Sequence, residues 1–281
     1  MKRITGKVTS GIKEGEKYIK IYKERIKDVL GIDVFNGTLN IRTPLRVKNI
    51  KFKERKIIKG FSGFGDISLS PCKLNNMNCH IVLPDKTKYE DVLEIVSDVP
   101  LREKLNLKDG DRVIIEIDND DIWSGVLTIS DKGSRGERED RSGRAIEKIL
   151  TENGFNVVFY KIVPDEKEII KENLIEAEKS GINLLITTGG TGFSKRDVTP
   201  EATREAIEKE IPGIPELIRH ETGKITKMAY LSRGISGIRG DMIVINLPGS
   251  EKAVEECMDV IIPILPHALD ILLGRITEHK K

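Results

Sequence analysis

Leu184-Leu-Ile-Thr-Thr-Gly-Gly-Thr-Gly-Phe-Ser-Lys-Arg-Asp-Val-Thr-Pro200 decides the fold of the C-terminal half. Asn183–Thr188 is an apolar run suited to a strand buried on both faces. Pro200 stands in the first turn of a following helix, with Thr199 as its expected cap. A buried strand therefore runs through a glycine-rich loop into a helix, and the same grammar extends outward. Upstream, Gly125–Ser130 reads as a strand and Ser142–Asn153 as a helix whose Ala145/Ile149 and Ile146/Leu150 pairs share a face. Val157–Val163 is a strand, and Glu166–Ser180 a helix with Ile170, Leu174 and Ala177 on one side, ended by Gly181. Downstream, Ile243–Leu247 is another buried strand, Ser250 caps a terminal helix, and Pro263 kinks or breaks it. This β-α-β-α-β order predicts an α/β domain: an open, mainly parallel sheet with helices on both faces.

The glycine loop carries the chemistry. Gly189, Gly190 and Gly192 let the backbone adopt φ > 0 and approach a ligand closely, and successive N–H groups then form an anion-binding concavity. Thr188, Thr191 and Ser194 add hydroxyls, and Lys195 and Arg196 add charge. The segment matches neither GxxxxGK[ST] nor GxGxxG. A tight turn would explain the glycines but not the polar side chains among them, so phosphate binding is the expectation. Asp197 in this loop and Asp165 in Val163-Pro-Asp-Glu166 both fall at the carboxyl edge of the sheet, where ligands bind. Two carboxylates beside phosphates suit a Mg²⁺ site, and both positions equally suit helix caps. Asn246-Leu-Pro-Gly-Ser250 is either a second anion site or an ordinary strand–helix turn. Ser130-Asp-Lys-Gly-Ser-Arg-Gly136 completes the polar edge.

The region before Asp121 reads differently. Ile4–Thr9, Tyr18–Ile21, Thr38–Arg42, Val47–Phe52, Asp66–Leu74, His80–Leu83 and Val113–Ile117 alternate as strands, with short helices at Tyr22–Leu30 and Leu101–Leu105. Many short strands predict a compact β-barrel. Asp118–Asp121 is a polar linker, so the domains are residues 1–121 and 122–281, with Trp123 expected at their junction. Thr9-Ser-Gly-Ile-Lys-Glu-Gly15 is a glycine-containing loop between two of these strands. Thr38 and Asn40, two apart, face one side of a strand, where a hydroxyl and an amide oxygen could meet a cation and phosphates.

Composition excludes several classes. Among 281 residues, 47 Lys+Arg against 45 Asp+Glu leave a net charge of +2, with no basic excess for nucleic acid or membranes. Cys72, Cys79 and Cys257 form no CxxC pair, so a disulfide framework is not expected and a reducing, cytoplasmic setting is. His80, His220, His267 and His279 lack zinc-ligand spacing. The N-terminus has no signal-peptide apolar core, and Val260–Gly274 is too short and polar to span a bilayer. A chain without glutamine and rich in charged residues carries the composition of a thermophile.

Ser124 to about Gly274 resembles the molybdopterin adenylyltransferase family of molybdenum and tungsten cofactor biosynthesis. The resemblance rests on Ser130-Asp131 with Asp140 and Ser142-Gly143, Val163-Pro-Asp-Glu166, Thr187-Thr-Gly-Gly-Thr-Gly192, Arg196-Asp-Val-Thr-Pro200, Leu231-Ser-Arg233 and Asn246-Leu-Pro-Gly249, in the family's order. It implies Mg²⁺-dependent transfer of AMP from ATP to molybdopterin, with release of pyrophosphate. Asp165 and Asp197 would be the catalytic, metal-holding carboxylates. Ser130, Asp131, Thr188, Gly189, Gly190, Thr191, Gly192, Ser194, Arg196, Thr199, Ser232, Arg233, Pro248, Gly249 and Ser250 would bind pterin or ATP. A trimer, or a dimer of trimers, is implied as well.

Residues 3–117 resemble the archaeal CTP-dependent riboflavin kinases, a six-stranded cradle-loop barrel. The matching residues are Gly6, Val8, Ser10-Gly11, Glu14-Gly15, Leu30-Gly31, Gly37-Thr-Leu-Asn40, Pro84 with Lys86-Thr87, Glu94-Ile95, Leu101-Arg-Glu103 and Leu107-Lys-Asp-Gly110. By resemblance, Gly11, Ile12, Lys13, Glu14, Gly15 and Glu16, with Val99, Pro100, Leu101 and Arg102, border CTP or CDP. Thr38 and Asn40 ligate Mg²⁺, Thr87 and Glu94 touch the flavin, and riboflavin becomes FMN. Lys13 stands where the family's nucleotide loop has its middle glycine, and the Lys86–Glu94 stretch is one residue short of the usual spacing. The alternatives to a bifunctional enzyme are a monofunctional adenylyltransferase carrying a non-catalytic flavin- or nucleotide-binding module, and a pterin-binding scaffold.

Overall fold

A computed structural model describes residues 1–11, 14–87 and 89–276. The chain divides into two compact units, Met1–Asp120 and Asp121–Lys281.

The first unit contains β1 (Lys2–Thr9), α1 (Glu14–Leu30), β2 (Leu39–Arg42), β3 (Lys56–Ile58), β4 (Ile67–Leu74), β5 (Met77–Pro84), β6 (Val92–Val96), α2 (Leu101–Lys104) and β7 (Arg112–Ile117). All its strand pairs are antiparallel, in the order β3-β4-β5-β6-β2-β1-β7. β7 also pairs back onto β4, at Lys73↔Glu116 and Leu74↔Ile115. Six strands therefore close a barrel, and β3 is an added edge. Alternation turns Ile4 and Val8 of β1 inward. Asn75 and Asn76, both at positive φ, form the two-residue turn between β4 and β5, because asparagine tolerates that backbone region.

Two expected strands are corrected. Tyr18–Ile21 lies within α1, where Ile19, Tyr22 and Ile26 recur every three to four residues and are buried on one face. Helical period overrides the β-propensity of Tyr and Ile, since the buried stripe is worth ~1.5–3 kcal/mol per large side chain. The loop after Thr9 therefore leads into a helix rather than a second strand. Val47–Phe52 is also not a strand: Val47–Asn49 is a 3-10 turn that buries Val47 and Ile50 three residues apart. β3 and β6 were not expected. β6 is buried along most of its length and has little alternation to mark it.

The second unit contains β8 (Trp123–Ile129), α3 (Asp131–Ser134), α4 (Arg141–Glu152), β9 (Asn156–Val163), α5 (Lys167–Lys179), β10 (Leu184–Thr188), α6 (Thr199–Ala206), β11 (Lys209–Glu210), α7 (Gly213–Ile225), β12 (Ser236–Arg239), β13 (Met242–Leu247), α8 (Glu251–Ile261) and α9 (Leu265–Leu272). The sheet order is β11-β12-β13-β10-β8-β9. β9, β8, β10 and β13 are parallel, and β12 and β11 add an antiparallel edge. A core of Ile146 and Leu150, Ile214 and Ile218, Val254 and Met258, and Leu265 and Leu269 packs α4, α7, α8 and α9 against the sheet. α5 buries Ile170, Leu174 and Ala177. Pro263 follows the end of α8 at Ile261 and sits in a 3-10 turn that opens into α9. Trp123 is buried at the start of β8. Chain order reverses direction across β8 and β10, so the crevice beyond their carboxyl ends is the ligand position of an open α/β sheet. No helix of the described residues is long and apolar enough to cross a membrane.

Candidate functional site

Four loops meet at that edge. After β8, the Ser130 hydroxyl accepts the Gly133 N–H at 3.0 Å and caps α3. The Asp131 N–H donates to Asp165 Oδ2 at 2.8 Å, and the Asp165 N–H donates to Asp131 Oδ1 at 3.1 Å, clasping the β8 and β9 loops together. Arg196 reaches across from the β10 loop, donating through Nη2 to Asp131 at 2.8 and 3.0 Å and through Nη1 to Glu166 at 2.9 Å. That guanidinium, with the Asp165 N–H, holds the Asp131 carboxyl below the usual carboxylate range. Asp165 shifts the other way. Burial pushes it up, and the neighbouring Asp131 and Asp197 charges add to the effect.

The glycine loop is built from the outside in. Gly189 and Gly190 take φ of 98° and 62°. Gly192 does not adopt positive φ. Its requirement is close approach, because a Cβ there would stand 3.0 Å from Asp197 Oδ2. All four loop carbonyls are tied back to protein donors. The Thr199 hydroxyl donates to Gly189 O at 2.9 Å and the Thr199 N–H to Gly190 O at 3.1 Å. The Arg233 N–H donates to Thr191 O at 3.0 Å and Arg233 Nε to Gly192 O at 2.7 Å. The Gly189 N–H donates to Leu247 O at 3.2 Å. Among the described residues, the N–H groups of Gly190, Thr191 and Gly192 donate to no protein acceptor. A run of amides with its acceptor ends anchored and its donor ends unspent is an anion cradle.

Neither aspartate is a helix cap. Glu166 and Val198 occupy the N-cap positions of α5 and α6, without side-chain cap bonds. Thr199, the expected cap, instead lies inside α6 and holds the loop carbonyl. Asp197 Oδ2 accepts the Ser194 N–H at 2.8 Å, and Arg233 Nη2 fixes the Asp197 carbonyl at 2.6 Å. Asp165 Oδ1 would stand 3.3 Å from a Cβ at Gly190. The two carboxylates thus border the same three-residue stretch.

The β13 loop closes the other side. The Thr188 hydroxyl donates to Pro248 O at 2.7 Å, and a Cβ on Gly249 would lie 3.3 Å from the Gly189 Cα. Ser250 caps α8 by accepting the Ala253 N–H at 3.2 Å. Gly190, Thr191, Gly192, Asp197, Ser232, Pro248, Gly249 and Ser250 line one cavity of about 500 Å³. Sequence reading missed its second wall: Pro215, Ile218, Arg219 and Thr222 of α7, and Ala253, Glu256 and Cys257 of α8. The four-residue spacing of Ile214, Ile218 and Thr222 was the available signal for α7. Asn246 belongs both to the expected strand Ile243–Leu247 and to the motif Asn246–Ser250. It is buried in β13, with Nδ2 donating to the Thr187 and Thr203 hydroxyls, each at 3.0 Å.

In the first unit, Ile12 and Lys13 lie outside the described residues, and Glu14, Gly15 and Glu16 open α1. The Thr38 hydroxyl donates to Asn40 Oδ1 at 3.0 Å, and a Cβ on Gly11 would overlap the Asn40 amide. Arg102 Nη2 donates to Thr9 O at 2.9 Å and pairs with Asp109 at 2.7 Å, while the Ser10 hydroxyl also donates to Asp109. The end of β1 therefore meets the Val99–Arg102 segment, in which Pro100 precedes α2 and Leu101 is buried. Glu94 lies opposite Asn40 in the β6–β2 register, and the Thr87 hydroxyl accepts the Tyr89 N–H at 3.2 Å beyond β5.

Residues 125–267 match the family of molybdenum cofactor biosynthesis domains described as a "probable molybdopterin binding domain". Residues 8–117 match the model for CTP-dependent riboflavin kinases, described as a domain of unknown function. A molybdopterin adenylyltransferase of Helicobacter pylori is 42% identical over 156 residues, covering 54% of this chain and 89% of that protein. The crystal structure of the molybdopterin biosynthesis enzyme MoaB from Thermus thermophilus is 47% identical with a TM-score of 0.52, covering 54% of this chain and 97% of that one. The tungsten cofactor synthesizing protein MoaB from Pyrococcus furiosus is 38% identical with a TM-score of 0.51, covering 55% and 98%. With half of its length matched by that model and the sheet-edge cradle intact, the chain belongs to the molybdopterin-binding domain family of molybdenum cofactor biosynthesis and carries a riboflavin kinase-like barrel before that domain.

Proposed function

We propose that the second unit transfers AMP from ATP to molybdopterin and releases pyrophosphate. The observation that carries this reading is the loop at 190–192, whose N–H groups are, among the described residues, unspent beside Asp165 and Asp197. The ATP phosphates lie on those amides. The terminal phosphate of molybdopterin attacks the α-phosphorus, and the bond to the β-phosphate oxygen breaks. Phosphoryl-type transfer needs positioning and charge neutralisation more than a strong base. Arg233 and Thr199 keep the cradle in shape, and the Asp131–Arg196 pair braces its rim.

The residues fit Mg²⁺. Asp165 and Asp197 supply hard oxygen donors, and the upward push on Asp165 by burial and like charge marks negative charge that a cation relieves. Among the described residues no cluster of three or more His, Cys, Asp or Glu is arranged to hold a metal alone. Mg²⁺ shared between one or two carboxylates and substrate phosphates needs no such cluster. Bound there, it would neutralise charge on the triphosphate.

The test is pyrophosphate release from ATP with molybdopterin and Mg²⁺. Asp197→Asn is expected to keep the fold and abolish release. Unchanged release in that variant removes Asp197 from the mechanism. The first unit, in the same reading, phosphorylates riboflavin from CTP, supported by the convergence of Gly11 with Asn40 and of Arg102 with Thr9 and Asp109. FMN formation from riboflavin, Mg²⁺ and CTP or ATP tests it, and absence of FMN with either nucleotide leaves a non-catalytic module. Self-association belongs to the proposal too: Ile225, Met228, Tyr230 and Leu231 expose apolar side chains in one short stretch. Light scattering should give three, or six, times 31.5 kDa.

A further inference from the structure

The cavity of the second unit has two chemically different ends. One is the amide cradle, against which Gly249 is packed just before the Ser250 cap of α8. The other lies further along α8. Ser250, Ala253, Glu256 and Cys257 all line the cavity, and their spacing puts them on one stripe of the helix. Glu256 lies six positions beyond Ser250, about 9 Å at ~1.5 Å per residue.

Along the second wall of the cavity, polar side chains of α7 donate to main-chain carbonyls. The Thr222 hydroxyl donates to Ile218 O at 2.7 Å, and Arg219 Nη1 donates to the Ser232 and Gly234 carbonyls at 3.3 and 3.1 Å. Burial, with the Glu256 charge beside it, pushes the Cys257 thiol up to about 12, so the thiol is a neutral wall. Glu256 is the exception. Its side chain is 19% exposed, and its ion-pair contact, Lys252 Nζ, stands 3.9 Å away, beyond hydrogen-bond reach. Among the described residues no hydrogen bond takes up its carboxylate oxygens.

A carboxylate with unspent acceptors on an otherwise apolar wall calls for a pair of N–H donors. It also repels phosphate, which directs the anionic end of a ligand toward the amide cradle. An aminopyrimidinone edge presents a ring N–H and an exocyclic amino group side by side, the spacing a carboxylate accepts with both oxygens. We propose that Glu256 is the specificity-determining residue that reads the amino-oxo pyrimidine edge of the pterin ring. This rests on the reading of the cavity as the pterin site.

The experiment uses the full chain and two probes, 6-hydroxymethylpterin and 6-hydroxymethyllumazine, whose 2-oxo group replaces the amino donor with an acceptor. Binding of each is titrated calorimetrically to the wild type and to Glu256→Gln, with ATP–Mg²⁺ binding and the thermal midpoint as controls. The wild type is expected to prefer the pterin roughly ten- to a hundredfold, the range for a hydrogen bond to a charged acceptor. Glu256→Gln should lose that preference while ATP–Mg²⁺ binding stays the same. An unchanged preference in the variant, or equal binding of both rings by the wild type, overturns the role of Glu256 and leaves the pterin site standing. A wild type that binds ATP but neither ring overturns the pterin site and the proposal with it.

Discussion

A side chain at position 189 has no room. Gly189 sits at φ 98°, and an added Cβ would overlap the Ile129 carbonyl oxygen, which belongs to β8 and cannot swing aside. Gly136 sits at φ 74° with open space around the same atom. Gly136→Ala should therefore cost only the left-handed backbone, ~1 kcal/mol, and Gly189→Ala about 3 kcal/mol, read as midpoints of urea unfolding. Arg233→Lys should cost about 2 kcal/mol in the same measurement and raise the KM for ATP severalfold. One ammonium cannot span the Gly192 carbonyl, the Asp197 carbonyl and the Glu201 carboxylate that the planar guanidinium holds together. The glycines and Asp197 were legible as residue types in one loop, and Asp165 in the loop after β9. The task of Arg233 was not, because its acceptors lie 32 to 41 positions away and depend on how β12 returns beside β13.

Elements were legible where period and punctuation agreed, and α4, α5, β10 and the break at Pro263 follow the sequence pattern closely. They were misread where two periods compete. The stretch Tyr18-Ile-Lys-Ile-Tyr22 alternates like a strand, yet its longer continuation to Ile26 places the buried side chains one helical turn apart. β3 has three residues and β11 two, too few for any period to show. Between α5 and α6 an ion network is readable only in the folded chain: Lys167 and Lys171 reach Glu205 at 2.8 and 2.9 Å. Hydrogen bonds from both lysines lower the Glu205 carboxyl from its ordinary 4.5 to about 2. A depressed folded value means stabilisation that is complete above the unfolded value and lost as pH falls through the folded one. The thermal midpoint of Glu205→Gln should thus fall below that of the wild type above about pH 5, the gap closing as pH drops toward 2. A gap that stays constant across that range would discount the network.

At the scale of the whole molecule, each site is assembled from residues of its own unit, which predicts chemical independence. Asp197→Asn should abolish pyrophosphate release and leave FMN formation at the wild-type rate. Replacing Asn40 by leucine, which removes the amide that meets Gly11 and Thr38, should do the reverse. A loss of both activities in either variant would mean the sites communicate. Barrel closure has a further consequence, for the order of events in biosynthesis. Lys2 pairs with Ile117, and β7 also seals the barrel against β4. β1, the first strand of this unit in chain order, thus waits for almost the last residue of the unit before its second neighbour exists. Such distant partners make for slow folding, and during the delay the bare margins of β1 and β4 invite pairing with other chains. Nascent chains stalled short of residue 112 should consequently be sticky and chaperone-dependent, whereas those stalled well beyond 117 should not.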